Sequence, residues 1–97
     1  MGGRVNMKSK KQIWVIWSSD AIGEKISPVM ITTSITKLKS FLIKKIKSGA
    51  ALYNSAVYST TKQIENFKFD FKNHHRDIIN SNLSYFQYEY YYDGEEL

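Results

Sequence analysis

Two segments with strong β propensity lie near opposite ends of this 97-residue chain. The first, Gln12 to Ser18 (QIWVIWS), is dense in aromatic and β-branched residues, which predicts a strand buried on both faces and therefore central in a sheet. The second, Leu83 to Tyr92 (LSYFQYEYYY), alternates over a longer run and ends at Asp93-Gly94. Because this last strand needs a neighbour, we expect it to lie beside the first strand. The second strand of the chain, which lies between these segments in sequence, is expected on the other side of the first.

The region between them supplies a second strand and a helix. Pro28 precedes Val29 to Thr33, a short strand joined to the first by a loop of about ten residues, which is longer than usual. Ser34 to Lys47 is the clearest helix, because Thr33 or Ser34 can act as N-cap and Gly49 suits the helix end. Its apolar residues follow the helical 3/4 spacing: Ile35, Leu38, Phe41, Leu42, Ile43 and Ile46.

A third region, from Thr61 to Phe71, carries two competing periods. Ile64, Phe67 and Phe71 share a helical face, whereas Phe67 to Phe71 (FKFDF) alternates as a strand would. The cap signal at Thr60-Thr61 favours a helix. Ala50 to Tyr58 is predicted to be a loop, and Asn73 to Asn82 is predominantly polar. The order β-β-α-(α)-β predicts a small α+β fold, an antiparallel sheet of about three strands with one or two helices on one face.

Composition predicts a single domain over residues 1–97, with 42% apolar and 14% aromatic residues. Residues 1–11 are predicted to be a disordered basic extension, and residues 93–97 an acidic tail. The chain has no cysteine, which excludes disulfides and thiolate metal sites. No apolar run approaches the roughly 20 residues that span a bilayer. We therefore expect a cytoplasmic protein with no membrane partner.

The net charge of +5 is divided unevenly along the chain. Met1 to Lys47 carries ten basic residues against two acidic ones, whereas Ser48 to Leu97 carries four against seven. Such asymmetry indicates oriented association with a charged partner, or two solvated faces of one domain.

The sequence contains no recognisable catalytic, cofactor or metal motif. His74 and His75 are adjacent, so their side chains diverge on a helix or a strand and cannot easily chelate one ion. Ser18-Ser19-Asp20 lacks the frame of a catalytic nucleophile, and there is no glycine-rich phosphate loop. We expect a protein that is not an enzyme and needs no cofactor.

Two surfaces are candidates for binding. Exposed tyrosine flanked by acid is typical of a protein-binding patch, and the C-terminal region offers one in Glu89, Tyr91, Asp93, Glu95 and Glu96. The even-numbered face of the same strand, which begins with Phe86 and Tyr88, is expected to pack against the helix. The alternative is nucleic-acid binding by the polar face of the helix, through Lys37, Lys44 and Lys47. A homodimer or larger oligomer through the tyrosine-rich edge strand, as in a structural component of an assembly, is a third hypothesis.

The order "IWVIWSSD", then "PVMITTSITKLKSFLIKKIKSGAALY", then a strand ending "YDGEEL" resembles small accessory proteins of bacteriophages of low-GC Gram-positive bacteria. The resemblance covers most of the chain from Gln12 onward. It implies a non-enzymatic phage protein in the host cytoplasm. Some proteins of this kind bind and block host machinery, including CRISPR–Cas and other defences. The implied partner is a host protein or a protein–nucleic-acid complex, and the resemblance assigns no site residue.

Overall fold

The computed structural model describes residues 12–73 and 75–92, and of Tyr92 the backbone only. The predictions for residues 1–11, His74 and residues 93–97 lie outside the described residues. The elements in chain order are β1 (Gln12–Ser19), β2 (Lys25–Thr32), α1 (Ile35–Ser48), β3 (Leu52–Tyr53), α2 (Thr60–Lys72), α3 (Arg76–Asn82), β4 (Leu83–Ser84) and β5 (Phe86–Tyr92).

The main sheet has the strand order β2-β1-β5, and both of its pairings are antiparallel. A second, two-stranded sheet pairs β3 with β4. The predicted α+β fold is confirmed, as is the placement of the first strand between the second and the last. β1 is central because its backbone pairs with β2 on one side and with β5 on the other.

The helices form one layer against one face of the main sheet. Trp14 and Ile16 of β1 and Phe86 and Tyr88 of β5 are buried on this face, as the alternation of the last strand predicts. Their core partners come from all three helices: Leu38, Leu42, Ile46, Phe67, Phe71 and Ile79.

The prediction that β1 is buried on both faces is wrong. Its other face, with Ile13, Val15 and Trp17, is only half-buried. Every buried apolar helix residue that the structure describes belongs to the core on the first face, so no described helix covers the second. Trp14 and Trp17 consequently lie on opposite faces of the sheet.

Local signals set the helix ends. The Ser34 hydroxyl accepts a hydrogen bond from the Lys37 N–H, 3.2 Å away, and Gly49 ends α1 with a positive φ of 86°. The region that begins at Thr60 is helical, as predicted, but its cap is Ser59, whose hydroxyl accepts from the Lys62 N–H at 3.1 Å. The alternating phenylalanines are therefore a helical stripe with Phe69 outside it.

Several boundaries differ from the prediction. β2 begins at Lys25, so Pro28 lies within an edge strand, next to a register shift where its missing N–H is tolerated. The first loop is correspondingly short, because the Asp20 carboxylate accepts from the N–H groups of Ile22 and Glu24, at 3.0 and 2.8 Å. The predicted loop after α1 contains β3, and the polar region after α2 forms α3. Tyr85, with φ of 78°, divides the last strand into β4 and β5.

Candidate functional site

The uncovered face of the main sheet brings together apolar and polar side chains from three strands. Directly opposed residues of antiparallel strands project to the same side of a sheet. Val15 is opposed by Ile31 and Glu89, Trp17 by Gln87, and Ile13 by Tyr91. We call this surface the open face and define it as Ile13, Val15, Trp17, Ile31, Gln87, Glu89 and Tyr91.

A polar network crosses the open face from β2 to β5. Lys25 forms a salt bridge and hydrogen bond with the Glu89 carboxylate, and its ammonium group lies 5.1 Å from the centre of the Trp17 ring. The Tyr91 hydroxyl donates to the other Glu89 oxygen at 2.8 Å. The hydrogen bond from Lys25 is the largest cause that holds the pKa of Glu89 below its ordinary value of 4.5, and that from Tyr91 is the next. This network compensates the Glu89 charge within the chain itself.

Trp17 has a polar atom that the described residues do not satisfy. Its indole Nε1 is buried and makes no hydrogen bond with any described group. The indole lies close enough to Glu89 to help lower the pKa of that carboxyl, but the N–H does not reach hydrogen-bond geometry. Buried donors without a partner are rare in native proteins. This one lies in the middle of the open face.

The apolar surface continues onto the outer edge of β2 and the loop before it. Four large aliphatic side chains are exposed there: Ile22, Ile26, Val29 and Ile31. We call this group the β2 edge. Aliphatic side chains along an exposed edge strand are uncommon, because such an edge can pair with another chain.

The opposite edge of the sheet, on β5, is covered at its centre. The Asn80 side chain donates to the Tyr88 carbonyl at 2.9 Å and accepts from the Tyr88 N–H at 3.0 Å. The amide thus replaces a neighbouring strand at that position. Among the described residues, no side chain forms such a pair of hydrogen bonds with the backbone on the outer edge of β2. The outer edge of β2 is therefore less covered by described side chains than the outer edge of β5.

The structure describes two of the five residues of the predicted acidic and aromatic patch. Glu89 and Tyr91 lie together on the open face, 2.8 Å apart at their oxygens. Asp93, Glu95 and Glu96 lie outside the described residues. Sequence reasoning missed Trp17 and Ile31 as members of the open face, and Lys25 as the partner of Glu89. The sequence did contain an indication of this surface. The first two strands carry more apolar residues than a sheet with helices on one face only can bury.

The three predicted lysines, Lys37, Lys44 and Lys47, are exposed on α1. α1 contains no acidic residue, and no salt bridge among the described residues involves these lysines. Lys45 has a different role, because its ammonium group lies 5.2 Å from the Phe41 ring centre and 5.7 Å from that of Phe86.

His75 is exposed just before α3, and its neighbour His74 is outside the described residues. Within residues 12–73 and 75–92, no three His, Asp or Glu side chains are grouped as a metal site requires. None of the described helices is both long enough and apolar enough to cross a bilayer.

No family model, curated protein or solved structure matches this chain. Its function is therefore argued from the geometry of its surfaces.

The network on the open face predicts a pH dependence. Because the pKa of Glu89 is lowered on folding, the stabilisation is present above the ordinary value of 4.5 and is lost as pH falls through the folded value. We expect Glu89→Gln to flatten the loss of stability of the wild-type chain below pH 4.5, measured by urea unfolding at several pH values. The effect is small, because the side chains of Lys25 and Glu89 are each about one third exposed.

The matched control is Glu65→Gln, on the exposed side of α2. Its pH profile should follow that of the wild type. Identical profiles for Glu89→Gln and the wild type would show that the network contributes nothing to stability.

Proposed function

We propose that this chain is a non-enzymatic protein that acts by binding a protein partner through the open face and the β2 edge. The observation that carries the proposal is a half-buried apolar and aromatic surface over three strands, which no described helix covers and which the exposed aliphatic side chains of the β2 edge extend. Contiguous apolar surface of this kind on a monomer marks an interaction site more often than not.

The composition of the open face fits the centre of a protein interface. Tryptophan and tyrosine are enriched among the residues that dominate binding energy, and charged residues are depleted at interface centres. The one acid on the open face, Glu89, is already paired with Lys25. The complementary surface should therefore be mainly apolar.

A different protein is a better occupant than a second copy of this chain. β2 has two register shifts against β1, and Pro28 lies in its middle. These irregularities twist the edge and remove a donor, which disfavours symmetric pairing of β2 with another β2. On β5, the Asn80 amide already occupies the backbone of Tyr88, where the tyrosine-rich strand would have to pair with its copy.

We propose further that the partner is a host protein or protein–nucleic-acid complex. The chain would then be a phage-encoded cytoplasmic inhibitor of a host defence, of anti-CRISPR type, or of a host regulatory system. This part of the proposal is supported by the sequence resemblance to phage accessory proteins alone.

The proposal is tested by affinity capture from a low-GC Gram-positive lysate, with and without nuclease, read by mass spectrometry. One dominant protein that is retained after nuclease treatment is expected. Recovery of nucleic acid with many associated proteins, all removed by nuclease treatment, would contradict the proposal.

Nucleic-acid binding is the second candidate, and the absence of acid on α1 favours it. If Lys37, Lys44 and Lys47 neutralise phosphates, changing all three to Gln should lower affinity for duplex DNA. The slope of log affinity against log salt should also become shallower, by about 0.9 for each phosphate that is no longer neutralised. Fluorescence anisotropy over a salt series measures both quantities.

The matched control for this experiment replaces the exposed Lys62, Lys68 and Lys72 of α2 by Gln. It removes the same charge from a different helix. Equal reductions in affinity for the two triple variants would indicate an effect of net charge rather than a site on α1.

A further inference from the structure

A cleft of about 730 Å³ opens on the helical side of the sheet, opposite the open face. Trp14, Tyr88 and Tyr90 line it from the sheet, Leu38 from α1, Phe71 from α2 and Arg76 from α3. Its volume is within the range of about 300–1,000 Å³ that is usual for ligand sites. The cleft shares no residue with the open face, so it is independent of the proposed protein-binding function.

The walls of the cleft are mainly aromatic and aliphatic. Trp14 and Tyr90 stack with ring centres 6.2 Å apart and planes 27° apart, and Phe71 and Tyr88 are tilted with centres 6.5 Å apart. Trp14, Phe71 and Tyr88 are buried and form the floor of the cleft, whereas Ile35 and Ile78, 36% and 40% exposed, and the half-buried Tyr90 supply its accessible apolar surface. Such walls suit the apolar body of a ligand.

One cation lies on this lining. The guanidinium of Arg76 is 5.1 Å from the centre of the Tyr90 ring. Burial raises the pKa of the neighbouring Tyr88 to about 12, and the positive charge of Arg76 acts in the opposite direction, so the guanidinium is electrostatically close to the Tyr88 phenol. The side chain of Arg76 is 43% exposed, which leaves it accessible to a ligand.

Among the described residues, Asp77 is the one acid that lines the cleft, and it does not neutralise this cation fully. Its carboxylate oxygen is 4.0 Å from the Arg76 Nε, at the limit of an ion pair, and its side chain is 98% exposed. Exposed pairs at such a distance are weak. The planar fork of an arginine is matched by a carboxylate that accepts two parallel hydrogen bonds.

We propose that this cleft binds a carboxylate with an apolar body, with the body against Ile35, Ile78 and Tyr90, above the buried ring of Trp14, and the carboxylate on Arg76. This chemistry has two sources, a free carboxylic acid and the C-terminal residue of a peptide. Both present one anionic group next to apolar surface, as the walls and the single arginine require.

The experiment titrates ¹⁵N-labelled protein with four probes: 4-phenylbutyrate, its carboxamide, an N-acetyl tetrapeptide ending in Phe with a free carboxylate, and the same peptide amidated. The chain has two tryptophans, one on each face of the sheet, and each indole N–H gives its own NMR cross-peak. A carboxylate in the cleft shifts the Trp14 peak and leaves the Trp17 peak in place. Binding of 4-phenylbutyrate alone identifies a free acid as the source, and tighter binding of the peptide acid identifies a peptide C-terminus.

Variants distinguish a specific contact between the ligand and Arg76 from a general effect of net charge. Arg76→Gln should weaken binding about tenfold, the size expected when a charge-assisted hydrogen bond is removed. Arg76→Lys should weaken it less, because the charge remains and only the fork is absent. Lys72→Gln, an equal charge change at the end of α2, should leave the dissociation constant unchanged.

Three results would overturn the proposal: no shift of the Trp14 peak with either acid at millimolar concentration, equal binding of the acids and their amides, or equal weakening by Arg76→Gln and Lys72→Gln. The dispersed Trp14 peak of each free variant shows that it is folded, so loss of binding is not confused with loss of structure.

Discussion

Replacing Phe67 by alanine is expected to lower the free energy of unfolding by about 3–5 kcal/mol, the usual cost of truncating a buried phenylalanine. Phe67 has no solvent exposure and lies between two other rings, edge-on to Tyr53 at 5.4 Å and tilted to Phe71 at 5.3 Å. Small domains have roughly 5–15 kcal/mol of stability in total. The substitution should therefore leave the chain marginally folded, as urea unfolding followed by circular dichroism would show.

The control is Phe69→Ala, two residues further along α2. Phe69 is 68% exposed, so its truncation should change stability by no more than about 0.5 kcal/mol. The comparison also tests the helix itself, because in a strand Phe67, Phe69 and Phe71 would share a face. Comparable destabilisation by the two variants would contradict the helical stripe.

Replacing Ile31 by aspartate is expected to lower affinity for the protein partner about 30-fold, which corresponds to about 2 kcal/mol. Ile31 is 68% exposed and lies where the open face meets the β2 edge. A carboxylate there would be desolvated in the complex without a partner of opposite charge. In the free chain it remains in water, so stability should change little. Calorimetric titration with the captured partner measures the affinity.

Val57→Asp is the matched control for that experiment. Val57 is also an exposed aliphatic residue, in the loop between β3 and α2, away from the open face. Its substitution adds the same charge and should leave affinity unchanged. An Ile31→Asp variant that is folded and binds as tightly as the wild type would exclude the β2 edge from the interface.

The topology of the sheet followed from the sequence because two aromatic-rich segments near the chain ends each needed a neighbour. α1 also followed, since its period, its serine cap and its glycine end are all local signals. α2 was harder, because Phe67 to Phe71 fits both periods, and only tertiary packing decides which rings are buried.

The remaining elements depend on contacts that are distant in sequence. Tyr85 adopts a positive φ that a non-glycine residue rarely has, and nothing in LSYFQY indicates it. α3 is short and polar, and it is held by the burial of Ile79 and by the Asn80 contact with Tyr88. Propensity alone does not predict a helix of this kind.

The candidate site was only partly predictable for the same reason. Alternation along the last strand places Glu89 and Tyr91 on one face. Their partner Lys25 comes from β2, whose two register shifts against β1 cannot be derived from the apolar pattern. The cleft between Trp14 and Arg76 depends on the position of α3, which the apolar pattern does not predict.

The most direct test of the central claim is an NMR titration of the ¹⁵N-labelled chain with its captured protein partner, read at the two indole N–H cross-peaks. We predict that the Trp17 peak shifts or broadens at stoichiometric partner, because Trp17 lies in the open face, while the Trp14 peak remains in place. A partner that perturbs Trp14 and leaves Trp17 unchanged would contradict the account, since it would place the interface on the helical side of the sheet.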